Sequence, residues 1–334
     1  MRICVVGAGA IGGLVAVRLA EQGETVTVIA RGPHLAAIRS DGLKVLSAGT
    51  ETIARLTATD RIRDVGEQDV VILALKAHQL GAVAPDIPSL CGPRTVVVTA
   101  QNGIPWWYFF KYQGPFQGTV LQSVDPGGTV AANIDVAHVI GSIIYPAANI
   151  ISPGIIQHVE GDRISLGELD GEETERLRAL TQLLRAAGFK VRAARDLRSE
   201  IWVKLWGNCT FNPISALTHT TLVDICQFPP TRTLAENAMR EAQTIGEKLG
   251  VRFGVSLNKR LAGAEAVGQH KTSMLQDVEA GRPLELEALV GSVLELGTLT
   301  GVLTPSLSAL YACTSLLAKT LRDAHGRLRV EALS

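Results

Sequence analysis

The chain has 334 residues, 46% of them hydrophobic, enough to bury a large core and to form two domains. Lys plus Arg and Asp plus Glu balance at 32 each, which excludes the global charge that draws a protein to nucleic acid or to an anionic membrane. No apolar run reaches membrane-spanning length, and neither the five cysteines nor the seven histidines show metal-ligand or paired spacing.

Residues 3–6 predict a strand that runs directly into Gly7-x-Gly9-x-x-Gly12 and then a helix carrying Leu14, Val15, Val17 and Leu19. In this arrangement the first glycine makes the tight turn, the second admits a pyrophosphate, and the third lets helix and strand pack closely. Gly7, Ala8, Gly9, Ala10, Ile11 and Gly12 are therefore candidate dinucleotide contacts, with the helix N-terminus facing the phosphates. A second strand over residues 25–29 completes the βαβ unit and ends at Arg31, where an NAD-preferring site usually carries an acid. An arginine there suits a 2′-phosphate, hence NADP(H); the alternative is a solvated loop arginine. Because the chain opens on this strand, no secretory leader is expected, and the scattered cysteines read as reduced thiols of a cytoplasmic protein.

Further strands are predicted over residues 70–75, 95–99 and 139–145, continuing a doubly wound parallel sheet. Residues 154–158 and 163–167 predict an antiparallel pair around Glu160-Gly161-Asp162. A helix over 172–187 and a strand over 190–193 follow. From about residue 199 long helical periods dominate, broken at Phe228-Pro229-Pro230, Gly250, Gly281-Arg282-Pro283 and Thr304-Pro305. The predicted fold is α/β: a Rossmann-type doubly wound sheet over residues 1–195, then an all-helical domain over 196–334.

Ligands of such sheets bind beyond the carboxyl ends of the strands. Lys76 closes one apolar strand and Asn102 follows another, although an Asn-Gly turn and a solvated lysine explain each residue taken alone. In the helix around 200–213, Lys204, Asn208 and Asn212 recur every fourth residue and share one face. A Glu200–Lys204 surface pair accounts for the lysine but not for the two asparagines. Flanking Trp202, Val203 and Leu205 would desolvate the lysine and favour proton donation. Ser273 opens a capping-box pattern with Gln276, and Glu285 follows Gly281-Arg282-Pro283 where an acid suits a helix N-terminus; either residue fits a structural or a site role.

Together these blocks resemble the ketopantoate reductase (2-dehydropantoate 2-reductase) family over nearly the whole chain. The most specific parts are Lys204-Leu205-x-x-Asn208-x-x-x-Asn212-Pro213 and Ser273-Met274-Leu275-Gln276-Asp277 through Glu285. The resemblance implies a Rossmann domain and a helical domain like that of 6-phosphogluconate dehydrogenases, with the active site in the cleft between them. It implies NADPH-dependent reduction of the 2-oxo group of ketopantoate to pantoate, for pantothenate and coenzyme A. By similarity Lys204 is the general acid, Asn208 and Asn212 hold the substrate, and Ser273 binds its carboxylate. Glu285, counted with Lys204 among the catalytic residues, and Asn102 help position cofactor and substrate, and Lys76 lies beside the nicotinamide ribose. The expected partner is a small 2-oxo acid, with no nucleic acid, membrane or metal; a homodimer is left open.

The chain departs from the family pattern in three places. A long segment holds Trp106-Trp107-Tyr108-Phe109 and Asp125-Pro126-Gly127-Gly128, read either as an aromatic lid or as an oligomer contact or surface excursion. Ser142-Ile143-Ile144 replaces a threonine-rich strand end, and Thr220-Thr221-Leu222 stand where a further substrate asparagine is expected. A reductase of another branched 2-oxo acid, a 3-hydroxyacid-dehydrogenase-like enzyme and a non-catalytic NADP(H)-binding regulator are the rival readings. The glycine-free lead into Lys204 argues against the second, and retention of Lys204, Asn208 and Glu285 argues against the third.

Overall fold

The computed structural model describes residues 1–331. It divides into two compact units: unit 1, Met1–Val120 with Asp125–Leu197, and unit 2, Leu121–Val124 with the described residues from Arg198 onward.

Unit 1 runs through β1 (Arg2–Val6), α1 (Ala10–Glu21), β2 (Thr25–Ile29), α2 (Gly32–Asp41), β3 (Leu43–Ser47), β4 (Thr50–Ala54) and β5 (Thr57–Thr59). It continues through β6 (Gln68–Leu73), α3 (Ala77–Val83), β7 (Cys91–Thr99), α4 (Thr129–Asn133) and β8 (Val139–Ile144). The last elements are β9 (Ala147–Ser152), β10 (Ile155–Glu160), β11 (Arg163–Gly167), α5 (Glu175–Ala186) and β12 (Lys190–Ala193). The main sheet has the order β12-β11-β8-β7-β6-β1-β2-β5. All its neighbours are parallel except β8 and β11. Its inner strands are buried on both faces, which is why they read as continuous Val/Ile runs.

The predicted antiparallel pair of 154–158 with 163–167 is corrected by the structure. Gly161 does turn the chain, at φ +77°, but the turn changes sheets. β10 pairs antiparallel with β9 and parallel with β3 in a second, four-stranded sheet, whereas β11 joins β8 and β12 in the main one. Burial explains the sorting: β11 is buried on both faces from Ile164 onward and belongs inside, while β10 is half-exposed. The second sheet covers α1, where a Cβ on Gly13 would lie 2.2 Å from Ile156 Cδ1. Covered by both sheets, α1 is apolar nearly all round.

The aromatic segment is neither a lid nor a surface excursion. Trp106, Trp107, Tyr108 and Phe109 are all buried, and Trp107 Nε1 donates to Thr99 Oγ1 at 2.9 Å at the end of β7. Asp125 is also buried; its carboxylate accepts from the amides of Val130 (2.8 Å) and Ala131 (2.9 Å) and so holds the start of α4. Gly127 and Gly128, each at φ +70°, make the turn that permits this.

Unit 2 is helical: α6 (Leu197–Thr218), α7 (Leu222–Gln227), α8 (Pro229–Lys248), α9 (Leu257–Ala266), α10 (Ser273–Ala280), α11 (Ser292–Thr300) and α12 (Pro305–Asp323). Pro229 and Pro305 stand in first turns, where a missing N–H costs nothing, and Gly281 and Gly301 end α10 and α11 in the left-handed region. Helix α6 does not stop at Pro213 but continues through it. Its anchor is Trp206, whose Nε1 donates to Met239 O of α8 at 2.7 Å and whose ring lies 4.7 Å from that of Phe253. Among the described residues, no helix is long and apolar enough to cross a membrane.

Candidate active site

The turn after β1 is shaped by close approach. Gly7 has φ +103°, and a Cβ on Gly12 would lie 2.0 Å from Gly7 O, so only glycine fits either position. A Cβ on Gly9, by contrast, would meet nothing within 4 Å. The amides of Gly7 and Ala8 are spent on Ile29 O, at 3.2 and 2.9 Å. Ala8 therefore shapes the loop, while the amides of Gly9, Ala10 and Ile11 open α1 with no side-chain cap. Such a set of free donors on open ground suits a pyrophosphate. His34, which no local sequence pattern marks, braces this turn. Its Nδ1 accepts from the Gly154 amide at 3.0 Å, which leaves Nε2 as the donor to Ala8 O at 2.7 Å.

Arg31 is extended and exposed at the start of α2, and among the described residues it makes no ion pair. Lys76 lies half-buried just before α3, its amide donating to Gln79 Oε1 at 3.1 Å. Asn102 is half-buried in the loop after β7, beside Gln101, whose carboxamide donates to Leu73 O at 2.9 Å. Glycine turn, Arg31, Lys76 and Asn102 thus stand at the carboxyl ends of β1, β2, β6 and β7, which are successive or near neighbours in the main sheet.

On unit 2, Lys204 and Asn208 are half-buried on α6 and Asn212 is buried one turn further. Trp202 and Leu205, expected to crowd the lysine, are buried beside it in sequence. Asn212 Nδ2 donates to Ser273 Oγ at 3.3 Å, joining two of the residues singled out from the sequence. Ser273 is exposed and is not the cap of α10; Thr272 takes that role, accepting from the Leu275 amide at 3.3 Å. The capping-box explanation of Ser273 therefore falls away. Glu285 is half-buried just ahead of a π-turn, Glu287–Gly291, and its carbonyl accepts from Leu289. Among the described residues, no cluster of three or more His, Cys, Asp or Glu could hold a metal.

Comparison with known proteins decides the family. The sequence models "Ketopantoate reductase PanE/ApbA" and "Ketopantoate reductase PanE/ApbA C terminal" match residues 3–171 and 196–318. The chain belongs to the ketopantoate reductase family. It is 50% identical over 319 residues to the 2-dehydropantoate 2-reductase of Mesorhizobium japonicum, covering 95% of this chain and 98% of that one. A candidate ketopantoate reductase from Ralstonia solanacearum MolK2, solved as a crystal structure, is 42% identical with a TM-score of 0.92, covering 96% and 98% of the two chains. The 2-dehydropantoate 2-reductase of Geobacter metallireducens GS-15 superposes with a TM-score of 0.82 at 27% identity, over 95% and 99%. This member of the ketopantoate reductase family is accordingly an oxidoreductase.

Proposed function

We propose that this family member reduces the 2-oxo group of ketopantoate with NADPH, giving the pantoate used for pantothenate and coenzyme A. The observation that carries the reading is the polar stripe Lys204, Asn208 and Asn212 on α6, tied to Ser273 by the 3.3 Å bond. The cofactor's fit rests on the open ground over Gly9, the uncapped start of α1 and the uncommitted Arg31. Residues 7–12 would hold the pyrophosphate, Arg31 the 2′-phosphate, and Lys76, Asn102 and Glu285 the nicotinamide end. Bound NADPH supplies a hydride to the carbonyl carbon. Negative charge then grows on the carbonyl oxygen, where Lys204 Nζ stabilises it and delivers a proton. Asn208, Asn212 and Ser273 bind the substrate's polar atoms.

A second reading, reduction of a different branched 2-oxo acid, is favoured by one feature. Where a further substrate asparagine is expected, Thr220 pairs with Thr218 at 2.7 Å, and Thr221 bonds Asp224 at the start of α7. These residues close a helix connection and present no carboxamide. The test is steady-state reduction of ketopantoate beside a panel of branched 2-oxo acids, with NADPH oxidation as the signal. Highest kcat/KM for ketopantoate is expected; a higher value for another acid selects the second reading.

A further inference from the structure

Arg260 belongs to α9, one turn after its Ser256 cap, and its side chain reaches α6. A Cβ on Gly207 would lie 2.0 Å from Arg260 Nη2 and 3.0 Å from Cζ, so the guanidinium rests directly on the helix backbone. Its Cζ is 6.0 Å from the centre of the Phe211 ring. Glycine weakens a helix interior, and Gly207 sits midway along the 22 residues of α6. Its presence there is explained by the approach of this side chain. Gly207 follows Lys204 by three residues, a spacing that makes neighbours on a helix surface, so the guanidinium borders the Lys204 end of the stripe.

Among the described residues this guanidinium has no ion pair and no hydrogen bond. The acid on its own helix, Glu265, is already engaged by Arg232 at 3.5 Å and Gln227 at 3.2 Å. The nearby thiols supply no countercharge: burial pushes Cys209 up to about 12 and raises Cys226, keeping both neutral. Burial also lowers the pKa of Arg260, yet an arginine keeps its charge in proteins. A partly desolvated cation without an anion is costly in the free protein and gains most from an anionic ligand.

We propose that Arg260 binds the carboxylate of the 2-oxo acid, its guanidinium set against Gly207 beside Lys204 and Asn208. This rests on the reading of the α6 stripe as the substrate face. As hydride reaches the carbonyl carbon, the substrate carries its carboxylate and a developing alkoxide on adjacent carbons. Two negative centres call for two cations: Lys204 protonates the alkoxide, and Arg260 pairs with the carboxylate through its planar fork. Ser273, neutral and shared with Asn212, adds a hydrogen bond but no charge.

The test compares ketopantoate with its neutral primary amide as substrates, using NADPH and the full chain. Arg260→Met should raise KM for the acid by roughly 10–100-fold, while KM for the amide and the affinity for NADPH move by no more than about 2-fold. Arg260→Lys should recover part of the loss. Gly207→Ala, which keeps the charge but displaces the guanidinium, should also raise KM for the acid. Retention of the parent's acid-over-amide preference in Arg260→Met overturns the assignment; if that variant does not fold, the same result in Gly207→Ala does so. Failure of the parent to reduce any 2-oxo acid overturns the underlying reading instead, so the two failures are separable.

Discussion

Arg31 and Lys204 are both cations, but they are asked for different physics. Arg31 is exposed at the end of β2 and has no counterion among the described residues, so its charge is available to a 2′-phosphate. Charge-assisted hydrogen bonds to that group are worth about 1.5–3 kcal/mol, or roughly one to two decades in affinity. Titration of both cofactors should show Arg31→Ala weakening NADPH by that factor while NADH changes little; equal affinities of the parent for the two would remove the argument. Lys204 acts on charge that exists only during reaction, so its loss should fall on turnover. Lys204→Ala should lower kcat by about 10²–10⁴-fold with NADPH binding kept, and Lys204→Arg should not rescue it, since a guanidinium is too weak an acid. Turnover within a few-fold of the parent would move the donor role to another group. The spacing of Lys204, Asn208 and Asn212 made this stripe legible, because a four-residue interval stacks side chains on a helix. His34 and Arg260 were not legible in this way. Their partners, Ala8 and Gly207, are distant in sequence, and no local pattern joins them.

Elements with regular periods were read closely, and those defined by partners were not. Strand β2 falls on residues 25–29 and β12 on 190–193 as expected: β2 is β-branched throughout, and β12 is a short Lys-Val-Arg-Ala alternation that buries Val191 alone. The small sheet has no strong period in the sequence, although Ala48 (φ +48°) and Gly49 (φ +80°) form a two-residue turn between β3 and β4 that the Ala-Gly pair hints at. The buried aromatics were misread because bulky residues in a long connection fit an exposed lid and a core plug equally well until Thr99 accepts the Trp107 bond. Another element held by a partner is α5. Glu168, at the end of β11 and 2% exposed, takes Arg176 Nε at 2.7 Å and Nη2 at 2.6 Å, together with the hydroxyl of Thr174, the α5 cap. Breaking a buried pair costs roughly 3–5 kcal/mol, and the arginine's 29% exposure places this one toward the lower end. Glu168→Ala should lower the urea midpoint accordingly, with the denaturant slope unchanged; a shift no larger than that of an exposed pair such as Lys319→Ala would show that solvent replaces the contact.

Across the whole molecule, each unit keeps a thiol where a charge cannot be solvated. Cys4 lies within β1 in unit 1 and Cys209 within α6 in unit 2, both fully buried. Burial raises each from an ordinary thiol value of 9.0 to about 12. The folded state therefore holds these two protons over a range in which the unfolded chain has released them. Their contribution to stability is complete below the unfolded value, shrinks as pH rises above 9, and is gone once the folded value is passed. Each pKa unit corresponds to about 1.4 kcal/mol, so near pH 10.5 each thiol should remove roughly 2 kcal/mol from the unit that contains it. Against a total of about 5–15 kcal/mol for a folded domain, that loss is decisive. Lysines and tyrosines also titrate in this range, so the parent alone cannot isolate the thiols. Urea unfolding of the parent, Cys4→Ala and Cys209→Ala at about pH 8 and about pH 10.5 separates them. Each variant starts lower by the cost of the small cavity it creates, yet should lose about 2 kcal/mol less than the parent on going to the higher pH. An alkaline drop equal in parent and variants would mean that both thiols ionise in place, and that water reaches β1 and α6 far more readily than their packing implies.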